Sequence, residues 1–163
     1  MQSTYLNGIT IRPLRNGDTA PVAALLDRLG PASRARRFGG AKPRLSDVEL
    51  HALARVDDDH HVLLAYVDGD PEPAGMAQLV RDGSAAEVAF AVADACQGRG
   101  VGALLGRELA ADARAAGITE LRSTVRGDNP RAVALLTRCA QRLHVTWRGG
   151  ERELVAELGR AAS

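Results

Sequence analysis

Gly98, Gly100 and Gly102 alternate with other residues in one short stretch of this sequence, QGRGVG at residues 97–102. The stretch follows a run with strand-like alternation, Ala86–Val92, and leads directly into a segment with helical spacing of leucines. The first turn of a helix has unpaired backbone N–H groups and the positive end of the helix dipole, and therefore binds anions. Glycine lets the backbone approach a ligand closely, because it has no Cβ. The spacing predicts a site for a diphosphate.

Two other interpretations of this loop are open. Glycines between a strand and a helix can serve packing alone. Gly98, Gly100 and Ala103 also fit the G-x-G-x-x-A fingerprint of dinucleotide sites, which requires a parallel βαβ unit and an acidic residue about 20 positions further on at a strand end. Here the loop follows strands joined by short turns, and Glu120 begins its predicted strand. The context disfavours a dinucleotide site.

The composition indicates an ordinary globular protein. The 163 residues are enough for one domain, 1–163, with a substantial core. The 21 basic and 20 acidic residues nearly balance, which indicates neither a nucleic-acid nor a membrane partner. No apolar run approaches the roughly 20 residues of a membrane-spanning helix, and the N-terminal residues lack the pattern of a signal peptide. We therefore expect a soluble cytoplasmic protein.

Apolar periodicity divides the chain into strands and four helices. The predicted strands are Gly8–Leu14, His61–Val67, Ala74–Val80, Ala86–Val92, Glu120–Val125, His144–Trp147 and Arg152–Leu158. The second, third and fourth strands must form an antiparallel meander because their turns are short, whereas the fifth follows a helix and should lie parallel to the fourth. We expect an α/β protein with a mixed, largely antiparallel sheet of about seven strands and helices on both faces.

Capping residues set the predicted helix ends. Pro31 is expected to end the first helix. Ser46 and Glu49 have the spacing of a capping box, which begins the second helix with Val48 on its apolar side. Asn129 is expected to cap the last helix, with proline at its first position.

This order of elements, with Gln-x-x-Gly-x-Gly between the fourth strand and the third helix, resembles the GCN5-related N-acetyltransferase (GNAT) family. The resemblance extends from Ile9 to about Leu158, and residues 127–129 before a helix are similar to the family's second signature. Within the family, AEVAFAVADACQGRGVG at residues 86–102 and the upstream SRARRF and RLSDVEL resemble bacterial protein-lysine acetyltransferases. Some of those carry a cyclic-nucleotide sensor, for which 163 residues leave no room.

The resemblance implies acetyl-CoA as cofactor and acetyl donor. The backbone N–H groups of the loop would hold the pyrophosphate, and Arg99 would add charge. The parallel fourth and fifth strands would splay apart just beyond Val92, so that pantetheine pairs with free backbone groups of Ala89–Val92. The residues expected to bind the cofactor are Ala89, Phe90, Ala91, Val92, Gln97, Gly98, Arg99, Gly100, Val101, Gly102, Asn129 and Arg131.

Acetyl transfer to an amine requires a base, because a free lysine has a pKa of about 10.4 and is protonated at neutral pH. The resemblance places a catalytic glutamate at Glu87, and partial burial would raise its pKa and make it a better base. The alternative is that Glu87 is only a solvent-facing carboxylate of the strand. A backbone N–H near Val92 would stabilise the oxyanion. The tyrosine that often protonates the leaving thiolate in the family is replaced by Leu136. A thiol has a pKa of about 8.5, so its thiolate leaves tolerably without help.

We therefore expect an N-acetyltransferase that acts on a primary amine. The first candidate for the acceptor is a protein lysine, and the second is a small-molecule amine. The missing tyrosine leaves a different class open, a non-catalytic coenzyme-A-binding module that senses acyl-CoA or regulates a partner. A homodimer is also open. The basic segment Arg34–Arg44 is either solvated surface or a lining of the acceptor groove or the phosphate site.

Histidine and cysteine residues give no indication of a metal site. His60 and His61 are adjacent, so in a strand they point to opposite faces. Cys139 falls on an apolar helix face and is expected in the core. Cys96 is expected to be exposed beside the glycine loop, where no neighbouring base would make it a nucleophile.

Overall fold

Eight strands and five helices follow one another in the computed structural model, which describes residues 2–38, 44–126 and 129–160. The strands are β1 (Thr4–Leu6), β2 (Ile9–Pro13), β3 (His60–Val67), β4 (Gly75–Asp82), β5 (Ala85–Val92), β6 (Glu120–Arg126), β7 (Arg142–Arg148) and β8 (Glu151–Glu157). The helices are α1 (Thr19–Asp27), α2 (Pro31–Phe38), α3 (Asp47–Leu53), α4 (Val101–Ala115) and α5 (Pro130–Cys139). Residues 39–43 of the basic segment and residues 127–128 of the second signature lie outside the described ranges.

All eight strands form one sheet in the order β1-β2-β3-β4-β5-β6-β8-β7. Within it β5 and β6 are parallel, and the other neighbouring strands are antiparallel. The single parallel pair arises because α4 carries the chain back across the sheet between β5 and β6. The predicted mixed sheet and its parallel pair are confirmed, with one strand more than expected.

The helices cover the two faces of the sheet, with α4 and α5 on one face and α1, α2 and α3 on the other. On the α4 face, Gly75 of β4 lies against Val101 and Leu105 of α4. On the opposite face, the side chain of Gln78 accepts a hydrogen bond from Arg37 of α2 and donates one to the Leu53 carbonyl of α3. Residues paired across an antiparallel ladder project on the same face. Alternate residues of β5 therefore face α4 and α2.

The glycine loop is held by a helix that packs along one apolar stripe, as the spacing predicts. Val101, Leu104, Leu105 and Leu109 of α4 are all buried. Burial of each such side chain contributes roughly 1.5–3 kcal/mol, so α4 and the loop before it are fixed firmly to the sheet.

Two predicted helix caps are confirmed. The Ser46 hydroxyl accepts from the backbone N–H of Glu49 at 3.2 Å, and the Glu49 carboxylate accepts from the N–H of Ser46 at 2.8 Å. Asn129 Oδ1 accepts from the N–H of Ala132 at 3.2 Å, with Pro130 at the first position of α5.

Other local predictions were wrong. The strand β1 was missed because it is only three residues long. Pro31 begins α2 instead of ending α1, since proline is well tolerated in a first helical turn. Val48 of α3 is 80% exposed, and Cys96 is buried at 2% exposure beneath the glycine loop. Cys139 is in the core as expected, and its burial raises the pKa of the thiol.

Gly75 offers a test of how closely α4 packs on the sheet. A Cβ at this position would lie 2.9 Å from Val101 Cγ1 and 3.0 Å from Leu105 Cδ1, both in buried side chains, and 3.2 Å from the Ala91 carbonyl oxygen. Such overpacking costs about 1–3 kcal/mol, so Gly75→Ala should lower Tm by roughly 3–9 °C in a thermal unfolding scan. Gly102→Ala is the control, because its Cβ would meet only ordinary contacts at 3.5 and 3.6 Å. Equal Tm values for the two variants would contradict this packing.

Candidate active site

A cavity of about 600 Å³ opens where β5 and β6 separate. The two strands pair only over Ala85–Glu87 and Glu120–Arg122, although both continue further. The predicted splay is therefore present, but it begins after Glu87 and not beyond Val92. The reason is that β6 stays paired with β8 along its whole length and follows that strand away from β5.

The cavity passes through the sheet. Glu87 and Ala89 line it from the α2 face, and Phe90 and Val92 line it from the α4 face. Two molecules can therefore enter from opposite faces and meet at the open edge of β5.

Backbone groups of β5 point into this gap at alternate residues. The N–H of Ala93 donates to the Ala74 carbonyl at 2.8 Å, which continues the β4–β5 ladder. Because bonded and non-bonded pairs alternate along an antiparallel ladder, the backbone groups of Phe90 and Val92 point away from β4. Consistently, the Val92 carbonyl accepts a hydrogen bond from the Gln97 side chain at 3.3 Å. The Val92 N–H and both groups of Phe90 remain for a ligand, while Ala89 and Ala91 face β4 with their backbone.

The loop before α4 presents a row of unpaired donors. Gly98 and Gly100 have φ values of 75° and 84°, the left-handed region in which side chains are strained. The N–H groups from Gly98 to Ala103 find no backbone acceptor within the described ranges, and the first capping bond of α4 comes from Leu104 to the Gly100 carbonyl. Together with the helix dipole, these donors form an anion site.

Side chains around the loop fix its position. Gln97 donates to Ser33 of α2 at 3.3 Å and accepts from Arg131 of α5. Asp94, just before the loop, accepts from the Ser33 hydroxyl at 2.7 Å and from the Gly30 N–H at 3.1 Å. The Ser33 hydrogen bond is the main cause that holds the pKa of Asp94 below its usual value. The loop is thus tied to α2, β5 and α5, and it offers an incoming anion its backbone groups.

The structure brings almost all predicted site residues together. Glu87 and every predicted cofactor-binding residue except Arg99 line the cavity. Arg99 is exposed on the loop and does not line it. Leu136 is 1% exposed in the core, and Tyr5 and Tyr66, the chain's two tyrosines, lie on β1 and β3 outside the cavity. No tyrosine hydroxyl is therefore available to a ligand in the cavity.

Two carboxylates reach the cavity on the α2 face. Glu87 is exposed and thus faces solvent without the burial that would strengthen a base, and it still lines the cavity at the point after which β6 leaves β5. Its carboxylate accepts no hydrogen bond from the described part of the chain. Glu153 of β8 is partly buried and also lines the cavity. Glu153 is not among the residues predicted from the sequence, because only the pairing of β8 with β6 brings it to the cavity.

The basic segment divides between two roles. Arg34 donates to the Leu29 carbonyl at 3.0 Å and to the Leu26 carbonyl, and so satisfies the end of α1. Arg36 and Arg37 line the cavity on the α2 face. The interpretation as a purely solvated surface is therefore wrong for this helix.

The histidines pair with carboxylates instead of with each other. His60 Nδ1 lies 2.8 Å from Asp57 Oδ1, and His61 Nε2 lies 2.7 Å from Asp112 Oδ2. The hydrogen bond with His60 is the main cause that lowers the pKa of Asp57. Within residues 2–38, 44–126 and 129–160, no three metal-ligating side chains cluster. The helices of these same ranges are all too short or too polar to cross a membrane.

The sequence and the fold of this chain are both similar to those of known GNAT-family acetyltransferases. The sequence matches the acetyltransferase (GNAT) family over residues 31–140. It is 32% identical over 120 residues to the acetyltransferase PA5475 of Pseudomonas aeruginosa, covering 71% of this chain and 64% of that protein. The GNAT domain of S. lividans PAT superposes with a TM-score of 0.82 at 27% identity, over 92% of this chain and 90% of that one. The structure of yncA from Salmonella typhimurium with its cofactor acetyl-CoA has a TM-score of 0.71 at 21% identity, over 96% and 98% of the two chains, and is similar in fold.

Proposed function

The chain belongs to the GCN5-related N-acetyltransferase (GNAT) family, and on that premise we propose that it transfers the acetyl group of acetyl-CoA to a primary amine, in first place a protein lysine. The observation that carries the proposal is the row of N–H groups from Gly98 to Ala103 without a backbone acceptor in the described residues, next to an open strand edge. The oxygens of a pyrophosphate can accept hydrogen bonds from these N–H groups, and an arm that carries amide groups can pair with the open strand edge. When bound, acetyl-CoA supplies an activated acetyl thioester.

The residues of the cavity fit this cofactor at both of its polar parts. The loop donors and the dipole of α4 suit the pyrophosphate. The unpaired backbone groups of Phe90 suit the amides of pantetheine, in the manner of an added β-strand. Arg131, which also lines the cavity, adds positive charge beside the loop.

Glu87 is the proposed general base. Its carboxylate is exposed at the edge of the gap and has no partner in the described residues, so it is free to accept a proton from the incoming ammonium, directly or through water. The Val92 N–H is the proposed donor to the acetyl oxygen as negative charge develops on it. Glu87 takes the first of the two protons that the ammonium must lose. The amine nitrogen then forms its bond to the acetyl carbon and gives up its second proton to solvent, while the carbon–sulfur bond breaks and the thiolate takes a proton from solvent.

A protein lysine is the first proposed acceptor. The similarity to the GNAT domain of S. lividans PAT and the resemblance at residues 86–102 support a lysine side chain. The cavity also opens through the α2 face, on which a long side chain can enter without displacing the cofactor.

A second function is favoured by one observation. No tyrosine lines the cavity, so the leaving thiolate has no phenol to protonate it. A protein that binds acyl-CoA without turning it over, and signals its level to a partner, is compatible with the same cofactor site.

Calorimetric titration with acetyl-CoA, followed by measurement of thiol release, separates these functions. We expect micromolar or tighter binding, and release of one thiol for each amine acetylated when lysine peptides are added. Peptides whose lysine is already acetylated are the matched control and should release none. Binding without release across lysine peptides and small primary amines would favour the sensor, and no binding would contradict both functions.

A further inference from the structure

Arg37 lines the cavity on the α2 face, from which the acceptor is proposed to enter, and it has no ion pair within the described residues. It lies in the last turn of α2, donates through Nη2 to the Gln78 side chain, and its guanidinium lies 5.0 Å from the Phe38 ring centre. Its Nε is buried and has no hydrogen-bond partner. No carboxylate of the described residues forms an ion pair with it.

Other arginines that line the cavity have different surroundings. Arg122 is ion-paired with Glu120 at 2.9 Å, and Arg131 is exposed and engaged with Gln97 beside the loop. Arg36 and Arg138 are exposed. Of these five arginines, Arg37 alone combines a buried donor nitrogen with the lack of an ion pair among the described residues. An arginine stays charged at physiological pH, and a buried charge without a partner is costly. Desolvation accordingly lowers the pKa of Arg37.

The sheet register places Arg37 close to the proposed base. Its partner Gln78 is opposite Ala89, and Glu87 is the next residue of β5 on the same face. Gln78 and Glu87 are therefore diagonal neighbours, whose Cβ atoms lie about 7–8 Å apart, and Arg37 contacts the end of the Gln78 side chain. An extended peptide advances about 3.3–3.6 Å per residue, so groups one or two residues apart in an acceptor span this separation. The cofactor loop lies beyond Val92, at the end of β5, and Arg131 of α5 is the cavity arginine beside it.

We propose that Arg37 binds a carboxylate of the acceptor, and that the preferred acceptor is a lysine with an aspartate or glutamate one or two positions away. The acceptor amine then lies at Glu87 while its acidic neighbour pairs with the guanidinium. Arg37 is in this role a specificity-determining residue. The inference rests on the proposed function and adds the substrate class to it.

Matched peptides test this pairing. Wild-type protein should acetylate a peptide with aspartate beside its lysine with a kcat/KM about 10- to 100-fold above that of the asparagine peptide, as a charge-assisted hydrogen bond in a desolvated site implies. Arg37→Gln should remove this preference by raising KM for the aspartate peptide alone. Arg37→Glu should reverse it, favouring an arginine-flanked lysine. Arg55→Gln, which removes an exposed charge outside the cavity, should retain the wild-type preference.

Each outcome has a definite meaning. Equal rates of the wild type on both peptides would overturn the inference and leave the acetyltransferase intact. An equal loss on both peptides in Arg37→Gln would show that Arg37 only holds α2 to Gln78, which also overturns it. If the protein acetylates free β-alanine faster than its amide and does not acetylate peptides, the acceptor is a small amino acid whose carboxylate binds Arg37. The proposed peptide acceptor would then be wrong. Acetyl-CoA binding without turnover of any amine would overturn the proposed function itself.

Discussion

Replacing Glu87 with glutamine is expected to lower kcat for acetyl transfer by about 10²–10⁴-fold at neutral pH, while the Kd for acetyl-CoA stays within a factor of two or so. Glutamine has the same shape but cannot accept a proton from the ammonium group of the acceptor. The side chain is exposed and makes no hydrogen bond within the described ranges, so its replacement should leave Tm unchanged. Steady-state thiol release and calorimetric titration measure the two quantities.

Glu153 is the competing base, because its carboxylate lines the same cavity from β8. If Glu87 is the base, Glu153→Gln should lower kcat by less than about tenfold, through loss of charge near the acceptor. Glu157→Gln, an exposed position of the same strand outside the cavity, is the matched control. A large loss of kcat in Glu153→Gln with little change in Glu87→Gln would assign the base to β8.

The sequence predicted the parts of the site that depend on local rules. The glycine loop, the helix after it and the Asn129 cap are each specified within a few residues, and the structure has all three. The parallel pairing of β5 and β6 also follows from local information, because a helical crossover lies between them.

The features of the site that the sequence did not predict depend on contacts between residues that are far apart in the chain. The splay begins after Glu87 because β6 stays with β8, and no signal in β5 or β6 themselves reports that preference. The same pairing brings Glu153 to the cavity. The placement of Arg37 depends on its contact with Gln78, which is 41 positions away in the chain. In this protein, the loop and helix proposed to bind the cofactor are neighbours in the sequence. The residues proposed to face the acceptor come from distant parts of the chain.

Gly100→Ala is expected to raise the Kd for acetyl-CoA by about 10- to 100-fold, as loss of one charge-assisted hydrogen bond or more implies. Gly100 is the residue before α4 with φ 84°, and nothing lies within 4 Å of a Cβ built on it. No atom of the free protein hinders the added methyl group, but because Gly100 lines the cavity we expect the methyl group to hinder the approach of a pyrophosphate to the loop N–H groups. Calorimetric titration measures this loss.

Gly83→Ala separates that steric effect from backbone strain. Gly83 has φ +63° in the turn between β4 and β5, also with nothing within 4 Å of its Cβ, and it lies outside the cavity. Both variants place alanine in the left-handed region, which costs about 1–2 kcal/mol and should lower Tm by roughly 3–6 °C in each. Only Gly100→Ala should lose affinity, because only Gly100 lies in the loop that lines the cavity. Similar acetyl-CoA affinities in the two variants would mean that the pyrophosphate binds away from this loop, and the assignment of the cofactor site would then be wrong.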